Sequence, residues 1–322
     1  MSASVTIPIA GFKDLYDVAD VEKALHELPA SANEALRAVY EKMLRLGGQR
    51  FTVKPSALPE MDALFDELPN FTEVLDDIRK HLALCIDSND SVELPPMLLL
   101  GGPGIGKTHF ARKISQLLGT GFGFVPMSSL TAGWVLSGAS SQWKNAKPGK
   151  VFDTFVNGDY ANPVIVVDEI DKASAEGHYD PLGALYELLE IETATRFVDE
   201  FVELPIDASG AVWLATANEV GRIPEPLVSR LAVYEIEPPD AEGAARIARI
   251  IYREIRGAHD WGRQFPEMPS EAALEKLASL PPREMRRALH SAFGNAKLAG
   301  RSEVSADDVQ DPRAGRRQRI GF

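Results

Sequence analysis

A chain of 322 residues has room for about two domains, and 45% hydrophobic with 25% charged side chains is ordinary globular composition, which excludes wholesale disorder. Acidic residues number 47 against 34 basic ones, a formal charge of −13; this excludes coating nucleic acid by bulk attraction and leaves only a local basic patch for such a role. The single cysteine, Cys85, excludes an intrachain disulfide or a cysteine metal cluster and fits a reducing compartment.

The opening Met1-Ser2-Ala3-Ser4-Val5 lacks a basic patch followed by an apolar core, so no secretory signal is expected. Residues 18–47 read as helical, because Val21, Leu25 and Leu28, then Leu36, Val39, Tyr40, Met43 and Leu44, keep helical spacing. Gly47-Gly48 ends that segment, and Pro55 and Pro59 punctuate a connection. A second helix is expected where Leu75, Ile78, Leu82 and Cys85 recur, with Pro95-Pro96 closing it. The pattern changes at Met97. Short apolar runs at Met97–Leu100, Val164–Val167 and Val212–Ala215, with further strands near Phe124–Met127 and Ala232–Ile236, alternate with helical stretches. Such runs suit strands buried on both faces in a parallel sheet covered by helices. After Pro238-Pro239 the chain reads helical again, through the stripes Ala244, Ile247, Ile250, Ile251 and Leu274, Leu277, Leu280. The terminal Arg313-Ala314-Gly315-Arg316-Arg317-Gln318-Arg319 is basic, either a solvated terminus or a contact for an acidic partner or nucleic acid. The longest aliphatic runs fall far short of a bilayer span, so no membrane association is expected.

Two segments carry phosphate chemistry. Gly101-Gly102-Pro103-Gly104-Ile105-Gly106-Lys107-Thr108 matches G-x-x-x-x-G-K-[ST] between an apolar strand and a helix with the stripe Phe110, Ile114, Leu117, Leu118. Glycines let successive backbone N–H groups turn inward on phosphate oxygens, at a helix N-terminus whose dipole favours anions. Lys107 adds a charge for the β- and γ-phosphates, and the Thr108 hydroxyl is offered to Mg2+. Val164–Val167 ends in Asp168-Glu169, placing two carboxylates at the carboxyl end of a buried strand. Asp168 is the expected Mg2+ ligand, directly or through water, and Glu169 the general base on the attacking water.

These elements resemble the Walker A and Walker B motifs of P-loop NTPases, and the segments C-terminal to them resemble those of the AAA+ ATPases. Ala215-Thr216-Ala217-Asn218 is similar to a sensor 1 strand, which implies that Asn218 bonds the attacking water or the γ-phosphate. Ile223–Leu231 resembles the arginine-finger segment of the Lon branch, which implies that Arg230 reaches a neighbouring subunit's γ-phosphate; Pro281–Arg287 resembles sensor 2, with Arg283 the matching residue. The likeness to Lon is strongest over residues 97–236 and includes Lys147-Pro148-Gly149-Lys150, Asp168–Lys172, Asp180-Pro181 and Ala184-Leu185. Leu130–Ser137 departs from it, replacing a charged segment. The chain ends at Phe322 soon after the helical lid, so no serine–lysine protease domain and no protease activity are expected. Gln142-Trp143-Lys144-Asn145 stands where Lon carries its pore loop, so Trp143 and Lys144 either grip a polypeptide or fill an interdomain surface, with Trp134 in reserve.

The expected architecture is an α/β P-loop (AAA+) parallel sheet with helices on both faces: an N-terminal helical extension over 1–60, the nucleotide-binding domain over 61–238, and a helical lid with the basic tail over 239–322. The expected function is Mg2+-dependent ATP hydrolysis by a cytoplasmic, ring-forming homo-oligomer, a hexamer by resemblance, that remodels or translocates a protein substrate or serves a partner complex. A DNA-directed motor and a nucleotide-controlled scaffold with little turnover are the alternatives.

Overall fold

The apolar runs of the middle of the chain form strands, and their continuity reflects burial from both sides. In the computed structural model, which describes residues 9–29, 33–86, 88–129, 134–143, 145–173 and 180–310, the strands are β1 (Ile9–Asp14), β2 (Gln49–Val53), β3 (Met97–Leu100), β4 (Phe122–Pro126), β5 (Val164–Asp168), β6 (Phe197–Val198), β7 (Pro205–Ile206), β8 (Val212–Ala217) and β9 (Ala232–Glu235). Lys144, Leu130–Gly133 and the basic stretch 313–319 lie outside the described residues.

Five strands lie side by side in the order β4-β5-β8-β3-β9, every neighbouring pair parallel. Parallel neighbours cannot be joined by tight turns. The chain accordingly passes through the helix Lys107–Leu118 between β3 and β4, and through Lys150–Val156 between β4 and β5. Inner strand β8 is buried along its whole length, whereas edge strand β9 exposes two of its four residues. Because the strands are parallel, Leu100, Pro126, Asp168, Ala217 and Glu235 all end on one edge of the sheet, the edge at which open α/β sheets take ligands.

The described residues fall into two compact units. The first lies within Met1–Pro59, Asp76–Leu100 and Ala111–Glu235, the second within Glu60–Leu75, Gly101–Phe110 and Ile236–Phe322. In the first unit the N-terminal helices Val18–Glu27 and Glu34–Leu46 form where their spacing predicts. Their Val21, Leu36, Tyr40 and Met43 share one buried cluster with Leu98, Val125, Ile165 and Trp213 of the sheet. At ~1.5–3 kcal/mol per large apolar side chain buried, this seam makes the extension part of the sheet's core. Tyr40 Oη also donates to the Val202 carbonyl at 2.7 Å. The extension is not purely helical, because β1 and β2 pair antiparallel across it. Their mixed sequences, Ile-Ala-Gly-Phe-Lys-Asp and Gln-Arg-Phe-Thr-Val, offer little apolar alternation to reveal a strand.

The second unit closes around the helix Ala241–Ala258, whose Ala244, Ile247, Ala248, Ile251, Tyr252 and Ile255 form one buried stripe. That stripe meets Leu274 and Leu277 of Glu271–Ala278 and Met285, Leu289 and Phe293 of Pro282–Leu298. Asp240 and Ser270 cap their helices by accepting from the Gly243 and Ala273 N–H groups. Beyond them Arg301 grips Asp308 with both arms, at 2.6 and 2.7 Å, and holds that buried carboxyl down at about 2. No helix among the described residues is long and apolar enough to cross a membrane.

Candidate nucleotide site

The loop Gly101–Gly106 leaves the carboxyl end of β3 and enters the helix Lys107–Leu118, as its sequence context requires. Gly104 and Gly106 take φ values of 83° and 106°, a region L side chains rarely adopt, which is why glycine stands at both turns. Lys107 is only 8% exposed, and its Nζ donates to the Gly101 and Gly102 carbonyls at 2.6 and 2.9 Å. The ammonium is thus folded back on its own loop. Thr108 is half-buried beside it.

The same unit supplies two supports that sequence reasoning did not find. Asn70 Nδ2 donates to the Ile105 carbonyl at 3.4 Å and to the Glu237 carbonyl at 3.1 Å. Phe71 stacks on Phe110 at 4.6 Å, pinning the first turn of the helix after the loop. Both lie in a proline-bounded stretch with no motif, so only the fold reveals them. Arg283 sits in the first turn of Pro282–Leu298, and a Cβ at Gly104 would come within 3.6 Å of the Arg283 Cβ. The sensor 2 candidate and the phosphate loop are therefore brought together within one unit.

The acids belong to the other unit. Asp168 closes β5, and Glu169 follows in the left-handed region at φ 55°, ψ 51°, opening the turn Ile170–Lys172. A non-glycine residue there costs of order 1–3 kcal/mol and persists only where its surroundings hold it. Thr216 of β8, 1% exposed, donates to Asp168 Oδ1 at 2.9 Å and accepts from the Glu169 N–H at 2.9 Å. Asn218 is half-buried immediately past the end of β8. Asp171 is buried, with Lys172 Nζ 3.5 Å away as its counter-charge.

Arg230 follows the short helix Glu225–Val228. Its Nε lies 2.9 Å from Glu190 Oε1, Nη1 donates to the Pro226 carbonyl, and the guanidinium stands 5.9 Å from the Tyr186 ring centre. In the single chain this side chain is docked on its own unit and 29% exposed.

Trp143 and Trp134 are 41% and 40% exposed and meet edge to face at 6.0 Å, so the two aromatics that sequence treats as competitors form a single patch. Their loop is clasped at its base by Asp199, which is fully buried and accepts from the N–H groups of Gly149 (2.7 Å), Phe201 (2.9 Å) and Val202 (3.2 Å). No motif marks Asp199 in the sequence. Burial pushes its carboxyl up to about 7, against the opposing pull of those three donors. Between about pH 4, where the unfolded group titrates, and about 7, the folded chain holds a proton that the unfolded chain releases. This group's contribution therefore makes stability fall as pH rises through that window. The thermal midpoint should drop between pH 5 and pH 7 by roughly 5 °C on this account. Asp199→Asn, which has no charge to gain, should flatten that slope; parallel pH profiles for the two proteins would refute the assignment.

Residues 97–238 match the family described as ATPase family associated with various cellular activities (AAA). Lon protease 2 of Herpetosiphon aurantiacus is 30% identical over 207 residues, 64% of this chain and 25% of that protein. The Lon protease of Metamycoplasma arthritidis is 36% identical over 156 residues, 48% of this chain and 19% of that protein. The chain thus spans about a quarter or less of the length of these two relatives. Hsp104 in its closed state shares the fold, with a TM-score of 0.58 at 15% identity over 85% of this chain and 50% of that one. With its parallel sheet, the glycine-rich loop after β3 and the acids that end β5, residues 97–238 are an AAA domain of P-loop fold, similar in sequence to Lon proteases.

Proposed function

We propose that this chain is a Mg2+-dependent ATPase of the AAA type that assembles into a homo-oligomeric ring, a hexamer by its resemblance, and works on protein substrates in the cytoplasm. The observation that carries the reading is the phosphate loop. Its glycines adopt conformations other residues avoid, and its buried lysine caps its own backbone carbonyls, leaving a cationic cradle suited to phosphate oxygens.

The donor set also fits Mg2+, a hard cation that takes few protein oxygens and keeps its waters and phosphate oxygens. Thr108 would offer it a hydroxyl and Asp168 a carboxylate. Bound Mg2+–ATP supplies the γ-phosphoryl group together with the charge neutralisation its transfer needs. Lys107 would leave the Gly101 and Gly102 carbonyls to hold phosphate, with Gly102, Pro103, Gly104, Ile105 and Gly106 presenting backbone to it. Glu169 would accept a proton from the attacking water, and Asn218 would orient that water. Arg283 would answer phosphate charge from its own chain, and Arg230 from the next.

Trp143 then engages the substrate, and the reading is tested there. Trp143→Ala should keep basal ATPase within about three-fold while losing most polypeptide remodelling, measured as ATP-driven unfolding of a fluorescent protein. Crosslinking from a photoreactive residue at position 143 should trap protein. Trapped single-stranded nucleic acid, on which the same aromatic could stack, would replace the protein substrate with a DNA-directed motor. Joint loss of ATPase and assembly would make Trp143 a packing residue.

A further inference from the structure

We infer that Thr216 is a positioning residue for hydrolysis, using one buried hydroxyl to set both the Asp168 carboxylate and the backbone of Glu169. The inference rests on the roles proposed for those two acids in ATP hydrolysis.

Thr216 is the one hydroxyl in a strand whose other members, Val212, Trp213, Leu214, Ala215 and Ala217, are apolar and buried. A hydroxyl buried there costs free energy unless partnered. This one carries a single proton, and the Asp168 carboxylate can only accept. The proton therefore points to Oδ1 at 2.9 Å, which leaves the lone pairs for the Glu169 N–H, also at 2.9 Å.

The consequence is geometric. In an extended strand, successive side chains point to opposite faces, so consecutive acids diverge if both remain strand-like. Glu169 instead turns out of β5 through the left-handed region at φ 55°, an unfavourable conformation for glutamate. The bond to its N–H orients the peptide between the two acids and so holds Glu169 in that turn. The bond to Oδ1 fixes the carboxylate of the preceding residue. One side chain on the neighbouring strand thereby ties the direction of the water-activating group to that of the metal-binding group. The hydroxyl is neutral and brings no charge to phosphate, so its removal should slow turnover without weakening the hold on nucleotide.

The test compares Thr216→Val, which keeps the branched shape and removes the hydroxyl, with Thr216→Ser, which keeps the hydroxyl. For each, kcat and KM for ATP are measured, together with equilibrium affinity for a fluorescent ATP analogue and amide hydrogen exchange at Glu169. Thr216→Val should lower kcat 10- to 100-fold, leave KM and nucleotide affinity within about three-fold, and speed exchange at the Glu169 amide at least ten-fold. Thr216→Ser should return kcat to within a few-fold of normal and restore protection of that amide. Normal kcat in a folded Thr216→Val protein overturns the inference, as does equal loss in both variants. If Thr216→Val does not fold, Thr216→Ser decides: near-normal kcat with a protected Glu169 amide supports the inference, and a ten-fold loss overturns it. Glu169→Gln assayed in parallel separates the two layers. Should it hydrolyse ATP normally, the general-base assignment fails, while the exchange data still report whether Thr216 holds the Glu169 backbone.

Discussion

Glu169→Gln should bind ATP as tightly as the unaltered chain and hydrolyse it at least 100-fold more slowly, whereas Lys107→Ala should lose nucleotide binding. In the proposed mechanism the two residues would act on different states. Lys107 Nζ sits on the loop carbonyls of Gly101 and Gly102; in the proposed mechanism it would exchange them for phosphate oxygens, so that its charge would be felt by the bound ground state. In the proposed mechanism Glu169 would act on a proton that moves only as the γ-phosphoryl group departs, and a positioned base contributes typically 10²–10⁴-fold. Glutamine preserves the shape and removes the basicity. Fluorescent-nucleotide titration and steady-state phosphate release measure the pair. An ATPase rate near normal in Glu169→Gln would remove Glu169 from the mechanism; retained tight binding in Lys107→Ala would remove the phosphate loop from it.

Arg230→Ala should leave ATP affinity near normal and cut hydrolysis by about 10³-fold, the scale on which arginine fingers act. In the single chain, Glu190 and the Pro226 carbonyl hold the guanidinium. In the proposed ring it would have to exchange these partners for the stronger charge of a neighbour's phosphate. Exposed ion pairs contribute only ~0–1 kcal/mol, so the Glu190 pair is a small obstacle. Mixing Arg230→Ala subunits with Lys107→Ala subunits should recover part of the activity, because an intact arginine would then face an intact phosphate loop. If verified mixed rings stay inactive, Arg230 acts within its own chain.

The motif-bearing parts of this protein were legible in one dimension because their chemistry is local. The loop Gly101–Thr108 declares itself by residue type and spacing, and the runs Met97–Leu100, Val164–Val167 and Val212–Ala215 declare strands by unbroken apolarity. The amphipathic stripes of Val18–Glu27, Glu34–Leu46, Thr72–Cys85 and Ala241–Ala258 likewise follow from helical periodicity alone. Neighbouring positions along the chain suffice for each of these.

What the sequence could not specify depends on partners far away along it. The pairing of β1 with β2 joins residues about forty positions apart and leaves little alternation in either segment. Trp134 and Trp143 read as rivals because nothing in their spacing brings one ring against the other; the fold of their loop does so at 6.0 Å. Asp199, one acid among 47 acidic residues, acquires its clasp on Gly149 only where the tertiary structure strips away its water. By itself, then, the sequence determined the class of fold, the glycine-rich loop and the pair of acids that follows it in chain order, since each is written in adjacent residues. Only the tertiary structure decided that Thr216, 48 residues from Asp168, would spend its one proton there, because a buried hydroxyl takes its partners from whatever strand the sheet lays beside it.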